Sequence, residues 1–420
     1  MTERTDILIV GGGAAGMSAA LAATEQADRS VTVVDDNPHL GGQIWRAELG
    51  KTKSPEAVKL IESIARGAIR VVNNAQVFGT AGPNRVAAET SSGRLEIEYS
   101  KLIIATGARE RFLPFPGWTL PGVFGAGGLQ ALVKGGLNIA DKRVVIAGTG
   151  PLLLAVADYL KTRGARVLLI AEQTSAAKIR RFARGLWRSP DKMLQAAAMR
   201  ARLVGIPYQT DCWVTSVRSP HVSKGSSSAT LDITLTRKHL TRTVECDYLA
   251  CGFHLVPNTE LASLFECHID NGYVTTDEFQ RTTIDDVYCA GEPTGIGGVE
   301  SSLIEGRIAG FAAVGFEEDA RRLFPQRERA KRFTAALDRT FALRSELKRL
   351  AEPDTIVCRC EDVTFGELAA FGNAREAKLQ TRCGMGACQG RVCGPATEFL
   401  FGWERGTVRP PIFPVKMEHL

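Results

Sequence analysis

Five of the ten cysteines in this 420-residue chain, Cys358, Cys360, Cys383, Cys388 and Cys393, fall within 36 residues. An even spread would put about one there, so the crowding asks for a chemical reason. Four of the five form two close pairs, Cys358-Arg359-Cys360 and Cys388-Gln389-Gly390-Arg391-Val392-Cys393, with 27 residues between them. In a reducing compartment such pairs are better read as metal or cluster ligands than as disulfides. Four thiolates around two irons and two sulfides leave a net negative centre whose charge grows on reduction. Arg359, Arg382 and Arg391 stand beside the candidate ligands and would favour the reduced state. Zinc on four cysteines is the alternative, although Cys-x-Cys is less usual in zinc ribbons than Cys-x-x-Cys.

A second kind of chemistry lies at the start of the chain, where Gly11-x-Gly13-x-x-Gly16 follows the apolar run 5–10 and opens an alanine-rich helix reaching about residue 26. Backbone N–H groups and the helix dipole converge there, where a pyrophosphate can lie. Asp35 ends the next strand, 31–34, nineteen residues past Gly16, where a carboxylate meets a ribose diol; Asp36 is the alternative. The same grammar returns with a strand over 143–147, the turn Gly148-Thr149-Gly150, a helix over 152–163 and a strand over 166–170 that runs on to Glu172. Leu153 replaces the third glycine there and forces a wider gap between helix and strand, so the turn reads either as a scaffold that kept the shape or as a weakened NAD(P) site, the latter serving a stand-alone NAD(P)H-dependent flavin and iron–sulfur oxidoreductase as the alternative function.

These sites need elements to hold them. Runs at 85–89 and 95–99 predict an antiparallel insert, followed by an apolar strand at 102–105, and 210–250 repeats that pattern around a Gly/Ser tip at 225–228. A helix over 298–316 closes the main body. An amphipathic helix over 328–350, with Phe333, Leu337 and Phe341 four residues apart, bridges to the cysteine-rich tail. Arg180, Arg181, Arg184, Arg188 and Lys192, interleaved with Phe182 and Trp187, read either as an anion or acidic-partner patch or as a solvated helix face.

Composition narrows the class. A net charge of +6 is small for this length and offers no support for nucleic-acid binding. No run approaches the length of a membrane span, and the polar start shows no export signal, so a cytoplasmic protein is expected. Cys246 and Cys251 flank an apolar strand and read as packing residues, and the six histidines form no zinc spacing. No residue is assigned a catalytic role.

Ile103-Ile104-Ala105-Thr106-Gly107 and Val287-Tyr288-Cys289-Ala290-Gly291-Glu292 complete a resemblance to the two-dinucleotide-domain flavoprotein reductases. Their A-T-G stretch marks a domain crossover, and their late A-G-D acid, here Glu292, meets the flavin ribityl chain. Gly41-Gly42-Gln43 resembles the thioredoxin-reductase-like branch, in which this loop approaches the isoalloxazine. The resemblance implies FAD on Gly11, Gly13, Ala15, Gly16, Asp35, Asp36, Gly42, Gln43, Val77, Thr106, Gly107, Gly291 and Glu292. No Cys-x-x-Cys in the middle domain and no Cys-x4-Cys after the first helix supplies the redox disulfide of thioredoxin-, glutathione- or mercuric-type reductases.

Cys-Arg-Cys-Glu-Asp-Val-Thr at 358–364 and Thr-Arg-Cys-Gly-Met-Gly-Ala-Cys-Gln-Gly at 381–390 are similar to the bacterioferritin-associated-ferredoxin-like 2Fe-2S domain. That family leaves the Cys383 position variable, so the implied ligands are Cys358, Cys360, Cys388 and Cys393, with Cys383 as the alternative. Nearly the whole chain resembles the alpha subunits of heteromeric opine oxidases, hydrogen cyanide synthase and proline or hydroxyproline dehydrogenases. The implied fold is α/β, with two Rossmann-like dinucleotide-binding domains and a small α-rich C-terminal 2Fe-2S domain. Residues 1–120 and 253–327 would form the FAD domain, 121–252 the second dinucleotide fold, 328–352 a linker helix and 353–420 the 2Fe-2S domain. The resemblance further implies C–N bond oxidation on a D-amino-acid-oxidase-like flavoprotein beta subunit, with a small ferredoxin-like gamma subunit and electron delivery to a quinone or another carrier. It also admits FMN at a subunit interface and peripheral association with the inner membrane.

Overall fold

Ile7 to Val10 offer no polar side chain to either face of a strand, which suits a parallel sheet covered on both sides. The computed structural model describes residues 2–25, 28–45, 54–185, 190–219, 230–238, 240–404, 406 and 408–420. In it the strand Thr2–Val10 pairs in parallel with Val31–Val34 on one flank and Gly93–Ile104 on the other. Ile69–Val72 and Val287–Cys289 join in parallel, while Arg85–Thr90 and Gln76–Gly82 add an antiparallel edge, completing a seven-stranded sheet.

The insert strand and the apolar strand expected at 95–99 and 102–105 are one twelve-residue strand, Gly93–Ile104. No glycine or proline interrupts Ser100-Lys101, so the strand runs on. Its first half pairs antiparallel with Arg85–Thr90, and its last residues pair parallel with Val287–Cys289.

The helix Ala14–Thr24 packs against the helix Gly298–Ala313 almost backbone to backbone. A Cβ on Gly306 would stand 2.2 Å from the Ala15 carbonyl oxygen, and one on Gly310 would stand 2.3 Å from that of Ala19. Small residues on both helices therefore bring the start of the first helix close to Gly291, where the last strand of the sheet ends.

The chain divides into two compact units. One comprises Met1–Arg109, Leu255–Thr334 and Thr407–Leu420; the other comprises Glu110–His254 and Ala335–Gly406. The division differs from the sequence expectation in several respects: the first break falls at 109–110 rather than 120–121, and the cysteine segment shares a unit with the second dinucleotide fold instead of standing as its own domain. The last residues, assigned with the cysteine tail, lie on the antiparallel insert of the first unit: Ile412 N–H donates to the Phe78 carbonyl at 2.7 Å, and His419 Nδ1 is 2.7 Å from Glu89 Oε1. The bridging helix is Phe324–Phe341, with a short 3-10 turn at Ser345–Arg349, and its two ends belong to different units.

The second unit holds a five-stranded parallel sheet in the order Tyr208–Gln209, Arg166–Glu172, Arg143–Gly148, Tyr248–Gly252, Val123–Gly125. An antiparallel sheet of Cys212–Arg218, Leu231–Arg237 and Leu240–Cys246 lies beside it; the expected tip at 225–228 lies outside the described residues. The cysteine-bearing segment is built onto this unit. Leu347 is fully buried among Trp213, Phe253 and Leu249, and Trp118 Nε1 donates to the Ile356 carbonyl at 2.6 Å. Within that segment Thr364 and Glu367 form a reciprocal capping box that starts the helix Phe365–Leu368.

A side chain at the Gly306 contact has nowhere to go. Gly306→Val should lower the stability of the protein by about 3 kcal/mol, read as an earlier urea midpoint; an unchanged midpoint would mean that the two helices are not in backbone contact.

Candidate cofactor sites

Gly11 sits at φ +111°, and a Cβ there would be 2.2 Å from the Ala105 carbonyl oxygen, so the glycine turn passes directly under the end of the Gly93–Ile104 strand. Gly13 caps the first helix without a side-chain hydrogen bond, and a Cβ on it would meet nothing nearer than Gly42 Cα at 3.9 Å. That open face at a helix N-terminus suits a pyrophosphate. The loop carrying Gly42 and the exposed Gln43 stands over it, since a Cβ on Gly42 would be 3.0 Å from Gly13 Cα. Gly16 packs onto the Gly11 carbonyl, and Gly291 packs onto Ala15, where an added Cβ would lie 2.8 Å from that of Ala15.

Asp35 is buried at 5% exposure and aims into the turn. One carboxylate oxygen accepts from Gly12 N–H; the other accepts from Asn37 N–H at 2.7 Å and Asn37 Nδ2 at 2.9 Å. Asp36 is exposed and accepts from Asn37 Nδ2, so Asp35 is the acid turned toward the turn. Thr106 is fixed by Asn258, whose carbonyl accepts from Thr106 Oγ1 at 2.6 Å and whose Nδ2 donates to the Thr106 carbonyl at 2.9 Å. Arg109 steadies that asparagine at 2.6 Å and pairs with Glu260 at 2.8 Å. Beyond Thr106, Gly107 takes φ +67° with open space where a side chain would be. Val77 is buried, in the same apolar cluster as Val10, Val34 and Ala75.

Glu292 is buried, and its Oε1 accepts from Gly298 N–H at 3.1 Å. Burial pushes its carboxyl up to about 7 against the opposing bond from Gly298. Sequence reasoning missed its neighbour Glu305, at 4% exposure, which accepts from Gly291 N–H at 3.0 Å and Thr294 Oγ1 at 2.9 Å. Burial pushes this carboxyl up as well. The available signal was a lone acid in the stretch Leu303-Ile304-Glu305-Gly306, on a helix otherwise small and apolar on that side.

The cysteine site is assembled by one turn and one helix start. Arg382 ends the helix Ala374–Thr381 in the left-handed conformation and delivers Cys383; Cys393 begins the helix Cys393–Phe401. The sulfurs of Cys358, Cys383 and Cys393 all lie within 4.8 Å of one another. Cys358, Cys360, Cys388 and Cys393, with Arg359 and Val392, line a cavity of about 310 Å³. The four implied ligands thus share one cavity, and Cys383 touches two of them. The neighbouring thiols push Cys358 and Cys388 down. Donation to Cys358 pushes Cys383 up to about 12 and pushes Cys393 up further. Soft sulfur donors gathered this closely fit a positively charged metal centre.

Of the three expected positive neighbours, Arg359 lies with its guanidinium 5.5 Å from the Trp118 ring centre, and Arg391 reaches Gln389 Oε1 at 3.0 Å. Arg382 is matched by Glu361 at 2.7 Å, so its charge is largely cancelled. Gly386, also missed at the sequence level, is a position where a Cβ would stand 2.2 Å from that of Cys360.

The remaining cysteines are buried in the cores. Cys246 Sγ donates to the Tyr248 carbonyl at 3.3 Å, and burial pushes its thiol up to about 12. In the basic stretch, Arg180, Arg181 and Arg184 are exposed on the helix Ala176–Gly185, and Phe182 packs 5.8 Å from Phe341. That arrangement is a solvated face on an apolar contact; Trp187 and Arg188 lie outside the described residues.

Two dinucleotide folds in one chain define a broad class, and residues 5–308 match the pyridine nucleotide-disulphide oxidoreductase family, to which the chain belongs. Within that class it belongs with a family of complex-forming subunits, those of hydrogen cyanide synthase and opine oxidase. It is 32% identical to hydrogen cyanide synthase subunit HcnB of Pseudomonas aeruginosa over 92% of this chain and 90% of that protein. It is 32% identical to an opine oxidase subunit of Rhizobium meliloti over all of this chain and 88% of that one. Among solved structures, L-proline dehydrogenase from P. horikoshii shares the fold with a TM-score of 0.70 at 17% identity, covering all of this chain and 80% of that chain. The protein is accordingly a flavin-dependent oxidoreductase by family.

Glu292 yields a pH signature. Its carboxyl is raised in the folded chain, so its contribution to stability is present below the ordinary carboxylate range and is lost as pH rises through about 7. Glu292→Gln removes that loss. In flavin-free protein the variant should gain about 3 kcal/mol on the parent between about pH 4 and about pH 8 in urea titrations, and parallel pH profiles would contradict the assignment.

Proposed function

We propose that this chain is the electron-transfer subunit of a heteromeric dehydrogenase or oxidase acting on the C–N bond of an amino acid, imino acid or opine. In this reading it carries FAD in the first dinucleotide fold and a 2Fe-2S cluster on Cys358, Cys360, Cys388 and Cys393. Electrons pass on to a quinone or another carrier. The supporting observation is a cavity lined by four cysteines in a chain that has no Cys-x-x-Cys in its middle domain and no Cys-x4-Cys after its first helix, and whose relatives are named as subunits.

Flavin accepts electrons singly or in pairs and an iron–sulfur cluster accepts them one at a time, so the two together convert a two-electron oxidation into single-electron flow. The chain's own residues hold and insulate. The turn from Gly11 to Gly16 presents its amides to a pyrophosphate, Asp35 takes the ribose diol, and Glu292 faces the ribityl chain. Thr106 and Gly107, braced by Asn258, Arg109 and Glu260, form the crossover beside them. No general base is assigned because bond oxidation belongs to the partner, a D-amino-acid-oxidase-like flavoprotein; a small ferredoxin-like subunit completes the complex. Among the described residues no helix is long and apolar enough to cross a membrane, so a membrane quinone would be reached by peripheral association.

Co-expression with the neighbouring gene products tests the assignment. The complex should reduce an artificial dye when given an opine or amino acid, and the lone chain should not; dye reduction by the lone chain would defeat it. Iron and acid-labile sulfide should each be found at about two per chain. Cys360→Ser and Cys388→Ser should abolish the cluster's visible absorbance, whereas Cys383→Ser should retain it. Zinc in place of iron would overturn the cluster assignment.

A further inference from the structure

The second dinucleotide fold has the strand, turn, helix and acid of a nucleotide site, yet its donors are already committed. Thr149 N–H donates to the Gly252 carbonyl at 2.8 Å, and Gly150 N–H donates to Glu172 Oε2 at 2.8 Å. The first helical residue is Pro151, which has no N–H, and Leu153 N–H turns back to the Gly150 carbonyl at 3.2 Å. Glu172, where a ribose diol would bind, is fully buried, and its Oε1 accepts from Thr149 Oγ1 at 2.9 Å and Thr174 N–H at 2.8 Å.

What covers these groups is the chain itself. The helix ending at Phe341 delivers its last carbonyl onto the turn, where it lies 3.1 Å from Thr149 Oγ1 and 2.8 Å from His254 Nε2. Gln173, at 2% exposure, reads the following segment along its length. Its Nε2 donates to the Ala342 carbonyl at 3.0 Å, its Oε1 accepts from Arg344 N–H at 2.9 Å, and its own carbonyl accepts from Arg344 Nη1 at 3.2 Å. The Arg344 guanidinium then lies 3.7 Å from the centre of the Trp213 ring. All of this sits at the carboxyl ends of the parallel strands Arg143–Gly148 and Arg166–Glu172, which is the crevice where doubly wound folds bind their ligands.

We infer that residues 341–344 are the resident ligand of the second dinucleotide fold. This peptide lies where a nicotinamide dinucleotide would, and its carbonyl oxygens take donors that phosphate and ribose oxygens would otherwise use. The fold serves as an internal socket for the start of the cysteine-bearing segment and accepts no NAD(P)H. The inference is independent of what the cysteines hold.

The test uses the full-length, FAD-loaded chain in three measurements. Under anaerobic titration with NADH and NADPH to millimolar levels, the flavin absorbance should stay unbleached. ADP-ribose should show no saturable binding by calorimetry; saturable binding, or rapid bleaching by either nucleotide, overturns the inference. Hydrogen exchange supplies the positive arm. The Arg344 amide should be protected in the unmodified chain, and Gln173→Ala, which removes its acceptor, should speed its exchange at least about tenfold, leaving Ile7 to Val10 unchanged. An Arg344 amide that exchanges freely in the unmodified chain, or at the same rate in the variant, defeats it. If the variant fails to fold, the unmodified chain alone still decides the matter through the nucleotide titrations and the Arg344 rate.

Discussion

In both units a buried carboxylate folds back onto a glycine turn, and much of the molecule follows from what else that turn is asked to hold. Asp35 binds Gly12 N–H at the end of one strand, and Glu172 binds Gly150 N–H at the end of another. Each bond ties two neighbouring parallel strands together at the point where a ligand would enter. The acid aligns the turn, and the turn supplies the hydrogen bonds that let the acid tolerate burial. In the first unit the surroundings stay small and open, with Gly13 facing space and Gly42 arching over it. In the second, threonine, proline and leucine take the following positions and the crevice closes.

The Gly291 corner shows how a single contact propagates. Gly291 must lack a side chain because Ala15 is there, and its N–H is held by Glu305 from a helix that itself rests on Ala15 through Gly306. Glu292 is thereby swung toward the start of that same helix. The acid, one methylene longer than the aspartate of the resembling reductases, reaches the N–H of Gly298, six residues on, at the start of that helix.

Much of this was legible in the sequence where the signal is local. The first turn, the strand 31–34 with its acid, and the helix after Gly150 all appear within a residue or two of where apolar runs and glycines put them. The cysteine pairs were equally plain. What sequence could not supply was anything depending on distant partners. Gly93–Ile104 was split in two because its halves pair with different strands; Glu305 and Gly386 matter only through contacts with Gly291 and Cys360. The weakened second turn could be recognised from Leu153, but not the peptide that lies on it, since residues 341–344 are far from residue 149 along the chain. Leu153 itself is fully buried beside Gly252, so the lost glycine is compensated on the opposite strand.

Trp118 carries one more implication. Its indole donates to Ile356, two residues before the first cysteine, and its ring lies under the Arg359 side chain between the first pair. A fluorophore in that position is a built-in gauge: with the chain's other four tryptophans replaced, its emission should track whether the sulfur-rich segment is seated and whether an absorbing centre sits beside it, so assembly can be followed optically without any label.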